Sequence, residues 1–211
     1  MKFDLHTLRP AVLVIDMQAS FIAADGPFQN TGMEPVVVAL NTFLAACRQR
    51  GVPIIFCNYT LRADGADAGL LRGQPYLEHM QESSATIGVD PHIHRHPSDQ
   101  DMRHPRPSAF FNTRLDAWLQ QRRCDAVILT GVSVNNAISA TARDAFARDV
   151  PAIVVSDCVA AAPFEPAELG AAYLQILATW TAEVADSAEV LRRLGAAGES
   201  QAKRTFLSWS R

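Results

Sequence analysis

The side chains best placed for chemistry are those that follow short apolar runs of the sequence. Asp16 ends the run AVLVID, Asn58 and Tyr59 end the run VPIIFCNY, and the turn at 131–137, GVSVNNA, follows AVILT. A carboxylate at the end of a buried strand is partly desolvated, which suits it to general acid or base catalysis near neutral pH. Capping of the next helix or turn is the alternative role for a single Asp in such a place.

Apolar runs rich in Val and Ile recur along the chain, and none of them alternates with polar residues. They are typical of strands buried on both faces of a parallel sheet, and they lie at 11–16, 52–58, 126–131 and 152–157. Helical spacing of apolar residues separates them at 33–51, 112–123, 135–149 and 165–180, and a last strand is predicted at 181–186. This alternation predicts an α/β fold, a three-layer α/β/α sandwich with an open, mostly parallel sheet.

The chain shows no internal repeat and no linker, so a single domain over residues 1–211 is predicted. Ligands of such sheets bind outside the carboxyl ends of the strands. Residues 60–104 are the least regular part, and a long connection of this kind is often a lid or binding loop. The tail at 195–211 changes composition and is interpreted either as a mobile end or as an arm that packs on a partner subunit.

Composition limits the classes of partner. The net charge of −3 and the lack of a nucleic-acid-binding motif argue against nucleic acid as a partner. The four cysteines stand singly in or beside apolar runs, which predicts buried free thiols in a reducing compartment: Cys47, Cys57, Cys124 and Cys158. The apolar run near the N-terminus is much shorter than a membrane span, so we expect a cytoplasmic protein without membrane contact.

Three blocks of the sequence carry a resemblance to a known family. They are AVLVIDMQASFI, HPRPSAFFNTRLDAWL and AVILTGVSVNNAISATARDAFARDVPAIVVSDCVA. In order and spacing they resemble the signature blocks of the isochorismatase-like hydrolases, also called the cysteine hydrolase superfamily, which includes nicotinamidases, N-carbamoylsarcosine amidases and isochorismatases. The resemblance covers roughly residues 10–185. It implies a Rossmann-like fold, a small-molecule substrate and a homodimer or homotetramer.

Members of that family typically use an Asp, a Lys and a Cys at the ends of successive strands. The Asp falls on Asp16, and Gln18 and Phe21 complete the family's DxQxxF pattern. The Lys position, four residues before the SAF motif, holds His104. The Cys position, six residues after the Gly of the GV turn, holds Ala137. The resemblance therefore predicts a catalytic site in which two of the three usual residues are replaced.

The resemblance also implies the surroundings of that site. It implies a cis peptide between Val132 and Ser133, and backbone N–H groups of Ser133 and Ala137 that bind the substrate oxygen as an oxyanion hole. The side chains and turn residues expected to bind substrate are Gln18, Phe21, Asn58, Tyr59, Phe110, Val132 and Ser133.

Three interpretations of Ala137 remain open, since its methyl group cannot attack a carbonyl. In the first, the protein is a hydrolase in which Asp16, assisted by His104, activates water or protonates a leaving group. The bond cleaved is then an amide or ureide C–N bond or a vinyl-ether C–O bond. In the second, the protein is a pseudoenzyme that binds a small ligand or a partner, which the loss of both the Lys and the Cys favours. In the third, Ala137 replaces the Cys of a cysteine amidohydrolase, which a Cys codon in the gene would reveal. Separately, the alternative to a catalytic role for His104 is an exposed histidine of a His-rich loop.

The histidines at 92, 94 and 96 raise the question of a metal. In an extended segment His92, His94 and His96 would share one side, where they could hold zinc. The nicotinamidase branch binds its metal through an Asp-x-His motif, and residues 58–60 offer none. We expect solvated histidines, no metal and no cofactor.

Overall fold

The computed structural model describes residues 2–29, 32–161 and 167–195. Its centre is one sheet of six strands: β1 Pro10–Ile15, β2 Ile54–Tyr59, β3 Gln100–His104, β4 Ala126–Val132, β5 Ala152–Ala160 and β6 Glu183–Ala185. The strand order is β3-β2-β1-β4-β5-β6, and every neighbouring pair is parallel. The predicted parallel α/β sheet is confirmed.

Helices cover both faces of the sheet. They are α1 Ala19–Ile22, α2 Glu34–Gln49, α3 Leu115–Gln121, α4 Ser139–Phe146, α5 Ala167–Trp180 and α6 Ser187–Leu194, with 3₁₀ turns at Gly69–Leu71 and Leu77–Met80 and a π-helical turn at Val134–Ile138. In β1, Leu13 and Ile15 pack in the cluster that includes α3, α4 and α5, whereas Val12 and Val14 pack in the cluster that includes α2 and α6. Each inner strand therefore needs apolar side chains on both faces, which explains the unbroken apolar runs.

Two elements differ from the sequence-based expectation. Residues 60–104 were expected to be an irregular connection of the kind that is often a lid or binding loop, but their last five residues form the edge strand β3. β3 reads QDMRH and alternates between more and less exposed positions, so it lacks the apolar run that marked the central strands. Helix α6 was not predicted, although Asp186 caps it by accepting a hydrogen bond from the N–H of Glu189 at 2.8 Å.

Three further expectations concern the cysteines, the tail and membrane-spanning helices. Cys47, Cys57 and Cys158 are buried free thiols, as predicted, whereas Cys124 is half-buried. Of the predicted tail at 195–211, only Gly195 lies inside the described residues. In the described part of the chain, no helix has both the length and the apolar character to cross a membrane.

The strand order fixes where a ligand site belongs. β1 lies between β2 and β4, so the order along the sheet reverses beside β1. In doubly wound sheets a crevice opens at such a switch point, outside the carboxyl ends of the strands. Asp16 follows β1 and the turn at 131–137 includes the end of β4, so both lie at this crevice.

Candidate active site

Asp16 is connected to the ends of two other strands. It is 5% exposed, and its φ of 54° lies in the left-handed region, which Asp enters more readily than most residues. Its Oδ1 accepts a hydrogen bond from the N–H of Tyr59 at 2.8 Å and lies 2.9 Å from Nε2 of His104. The capping alternative is wrong, because α1 begins after Gln18 and has no side-chain cap.

His104 is the last residue of β3 and lies beside Tyr59 in the strand register. It is 0% exposed, so its interpretation as an exposed loop histidine is wrong. Its ring stacks on the Tyr59 ring, with centroids 5.5 Å apart and planes at 22°. Its Nδ1 lies 2.6 Å from the carbonyl oxygen of Arg106. A carbonyl only accepts hydrogen bonds, so Nδ1 carries a proton and the ring orientation is fixed.

One proton is therefore shared between Nε2 of His104 and Oδ1 of Asp16. The pair is either an imidazolium with a carboxylate or a neutral imidazole with a carboxylic acid. Burial lowers the pKa of His104, whereas the charge of Asp16 and the hydrogen bond with it raise that pKa. The two raising effects outweigh burial, so the pKa of His104 lies above the ordinary histidine value. This direction favours the imidazolium, which places a cation beside the carboxylate as a Lys would.

The GV turn brings β4 against the end of β1. Gly131 pairs with Ile15 and has a φ of 104°. A Cβ at this position would lie 2.8 Å from the backbone nitrogen of Ile15 and closer still to its carbonyl oxygen, so only glycine fits. The peptide between Val132 and Ser133 is cis, as the resemblance implied.

Ala137 lies in the π-helical turn that follows, and it is 2% exposed. Its methyl group belongs to an apolar cluster that includes Phe110 and Cys57. Cys57 was not considered as a nucleophile from the sequence, yet it lies in β2 two residues before the strand ends, and its carbonyl oxygen accepts the N–H of Asp16 at 2.9 Å. Burial, followed by the charges of Asp16 and Asp101, raises the pKa of the Cys57 thiol well above its ordinary value. A thiol with a raised pKa stays protonated, which argues against Cys57 as a nucleophile.

The SAF block is tied to α4, the helix behind the turn that carries Ala137. The Ser108 hydroxyl donates to Oδ2 of Asp144 at 2.5 Å, and the N–H of the next residue donates to Oγ1 of Thr141 at 3.0 Å. Arg148 lies over the Phe110 ring, 4.8 Å from its centroid, and Phe110 is 3% exposed. Sequence reasoning missed Thr141 and Asp144, although their spacing of three places both on one helix face.

The remaining residues expected to bind substrate differ in burial. Gln18 is 0% exposed and donates from Nε2 to the carbonyl oxygens of Ile87 at 2.7 Å and Tyr59 at 3.3 Å. Gln18 thereby links the long connection at 60–104 to the end of β2. Phe21 is half-buried and stacks on Phe28 with centroids 5.5 Å apart.

Asn58 and Ser133 are half-buried, and Val132 is buried. The Oε1 atom of Gln18 and the Oδ1 atom of Asn58 are enclosed and have no hydrogen-bond partner in the part of the chain that the structure describes. These two unused acceptors lie in residues at the carboxyl ends of β1 and β2.

The histidines at 92, 94 and 96 are exposed. The ring of His92 contacts Oδ1 of Asp90 at 2.8 Å, and the ring of His96 contacts the hydroxyl of Ser98 at 2.8 Å. Over residues 2–29, 32–161 and 167–195, no three His, Cys, Asp or Glu side chains are grouped to hold a metal ion.

Comparison with known proteins agrees with this geometry. The isochorismatase domain model matches residues 10–189. A ureidoacrylate amidohydrolase of Cronobacter turicensis is 27% identical over 170 residues, which cover 70% of this chain and 72% of that protein. A probable inactive nicotinamidase of Arabidopsis thaliana is 32% identical over 158 residues, which cover 72% of this chain and 81% of the relative.

Solved structures give the same likeness. A cysteine hydrolase from Pseudomonas syringae pv. phaseolicola superimposes with a TM-score of 0.86 and 28% sequence identity, over 92% of this chain and 95% of the other.

Proposed function

This chain belongs to the isochorismatase domain family, and from that membership we propose that it hydrolyses a C–N bond of a small amide or ureide without a cysteine nucleophile. The observation that carries the proposal is the buried Asp16–His104 pair, which shares one proton at the carboxyl edge of the sheet. The name of the ureidoacrylate amidohydrolase supports the choice of bond.

In the proposed reaction Asp16 accepts a proton from a water molecule as the water oxygen attacks the carbonyl carbon. Both hydrogen bonds to the Asp16 side chain fall on Oδ1, so Oδ2 is the oxygen proposed to face the water. The negative charge that forms on the substrate oxygen is bound by the N–H groups of Ser133 and Ala137. The proton then passes to the leaving nitrogen, the C–N bond breaks, and an amine departs.

His104 has two roles in this scheme. As an imidazolium it stabilises the Asp16 carboxylate before attack, and afterwards it supplies or retrieves the proton that the pair shares. Arg106 holds the Nδ1 proton in place through its carbonyl, so only Nε2 takes part in the transfer.

The main alternative is a protein that binds a ligand or partner without turnover. Ala137 favours this alternative, and one relative is itself named a probable inactive nicotinamidase. Cleavage of a vinyl-ether C–O bond by Asp16 as an acid is a further alternative, as is a Cys→Ala replacement at 137. Cytoplasmic location and assembly into a dimer or tetramer stay predictions.

The test is product formation by the purified protein, followed by mass spectrometry, on nicotinamide, N-carbamoyl amino acids, small ureides and isochorismate. We expect turnover of a carbamoyl compound or ureide, and a loss of 100-fold or more, roughly the contribution of general acid–base catalysis, in Asp16→Asn. Asp25→Asn makes the same chemical change at an exposed position and should keep full activity.

Other outcomes separate the alternatives. Release of pyruvate from isochorismate would replace the C–N assignment with vinyl-ether cleavage. No turnover of any compound, together with a ligand-induced rise in Tm, would favour the binding protein. Activity that appears only in the double variant Ala137→Cys with His104→Lys would show that the chemistry had depended on a thiol.

A further inference from the structure

Arg106 joins the catalytic pair to the long connection that precedes β3. Its carbonyl oxygen accepts the hydrogen bond from Nδ1 of His104. Its Nη1 donates to the carbonyl oxygen of Asp67 at 2.9 Å and to that of Pro105. All the acceptors that the guanidinium meets are therefore neutral backbone oxygens.

Arg106 is half-buried. Among the described residues, no carboxylate lies within ion-pair distance of it. The carboxylate of Asp67 accepts the N–H of Arg62 at 2.9 Å instead. The Nε and Nη2 donors of Arg106 have no protein partner there either, and neither nitrogen is among the fully enclosed polar atoms. A partly desolvated guanidinium with unused donors is well suited to bind a carboxylate in a two-pronged contact.

The surrounding chain is shaped to hold this side chain. Gly69 has a φ of 56°, and a Cβ there would collide with Nη2 of Arg106. Burial raises the pKa of the Tyr59 phenol, and the positive charge of Arg106 opposes that rise. The guanidinium is therefore close enough to Tyr59 to affect its hydroxyl, and the Tyr59 ring stacks on His104.

We propose that Arg106 determines specificity by binding a carboxylate of the substrate. The inference rests on the proposed function, and it narrows the substrate to an amide or ureide that also carries an acid group. The carboxylate would be bound by Nε and Nη2, while Nη1 keeps its contact with Asp67.

The test compares two probes that differ only in charge, N-carbamoylglycine and N-carbamoylglycinamide. Their Kd values are measured by calorimetry for the wild type, Arg106→Gln and Arg106→Lys, together with kcat/KM where turnover occurs. We expect the wild type to prefer the acid and Arg106→Gln to bind the acid about 10- to 100-fold more weakly, the range of a lost charged hydrogen bond. Affinity for the amide should stay unchanged, and Arg106→Lys should recover part of the preference.

Arg72→Gln is the matched control, because Arg72 is an exposed arginine that bonds to a carbonyl of the same connection, that of Gly65. Equal affinity of the wild type for the two probes, including no binding of either, would overturn the proposal. Equal losses for both probes in Arg106→Gln would also overturn it, since they would show that Arg106 only positions the connection. A charge preference without turnover of either probe or of any compound on the panel above would refute the hydrolase and leave the role of Arg106 intact.

Discussion

The substitution Asp16→Asn tests the shared proton most directly, because it removes the charge and keeps the shape. In the native protein a single oxygen faces both the N–H of Tyr59 and Nε2 of His104. The asparagine oxygen can still accept from Tyr59. Without the carboxylate, burial dominates and the pKa of His104 falls, so Nε2 becomes an acceptor that faces another acceptor. If the amide turns over instead, it satisfies Nε2 and leaves the N–H of Tyr59 without a partner.

Either arrangement leaves one buried polar group without a hydrogen-bond partner, which costs about 1–3 kcal/mol of unfolding free energy. For a chain of this length that loss lowers Tm by about 2–12 °C. The folded pKa of His104 lies above its ordinary value of about 6.5, so the stability due to its protonation is fully present below about pH 6.5. That stability is lost as the pH rises through the folded pKa. The difference between wild type and Asp16→Asn should therefore shrink with rising pH.

Urea denaturation of the two proteins across a pH series measures this difference, with Asp25→Asn as the exposed control. Nitrogen-15 NMR of the imidazole ring reports the proton directly, and both ring nitrogens of His104 should carry one at pH 6. A wild-type ring protonated only on Nδ1 at that pH would refute the imidazolium assignment. A cost of less than about 1 kcal/mol for Asp16→Asn, the value of an ordinary surface pair, would refute the energetic argument.

Two further predictions concern the frame of the site. Gly131→Ala should lower the unfolding free energy by about 3 kcal/mol or more, because its Cβ would clash with the backbone of Ile15. Gly88→Ala, where a Cβ meets nothing, should change it by far less, and equal losses would contradict the clash. Burial raises the pKa of the Cys47 thiol to about 12, so a disulfide reagent at pH 8 should modify it in the native protein far more slowly than half-buried Cys124. Equal rates would contradict the burial of Cys47.

The central sheet could be predicted from the sequence because each inner strand is buried on both faces. The run at 11–16 corresponds to β1, and its apolar side chains supply both clusters. β3 escaped prediction because an edge strand with one neighbour needs few apolar residues. The position of β3 decides the environment of His104. Because this strand was not predicted, the burial of His104 was not predicted either.

The site was predictable only where a motif fixed a position along the chain. Spacing from the SAF motif selected His104, but its burial depends on pairing between β2 and β3, which no local pattern records. The contacts of Arg106 likewise depend on the fold and are not recorded in any local sequence pattern. Its partner Asp67 is 39 residues away in the sequence, and only the fold brings the two together.

If His104 and Ala137 stand at the Lys and Cys positions, as the sequence resemblance implies, the two replacements are chemically consistent with each other. A thiol delivers its own proton when it attacks, so a permanent cation beside the carboxylate is sufficient in the family's usual site. When water is the nucleophile, the site must take one proton and return it to the leaving group. A histidine with a titratable Nε2 adds a second proton carrier at the position where lysine offers mainly charge. Replacing a buried ionised pair by apolar residues is often neutral or stabilising by about 1–4 kcal/mol, so stability alone does not account for the Asp16–His104 pair. Its burial at the carboxyl edge of the sheet therefore supports the catalytic role proposed for the pair.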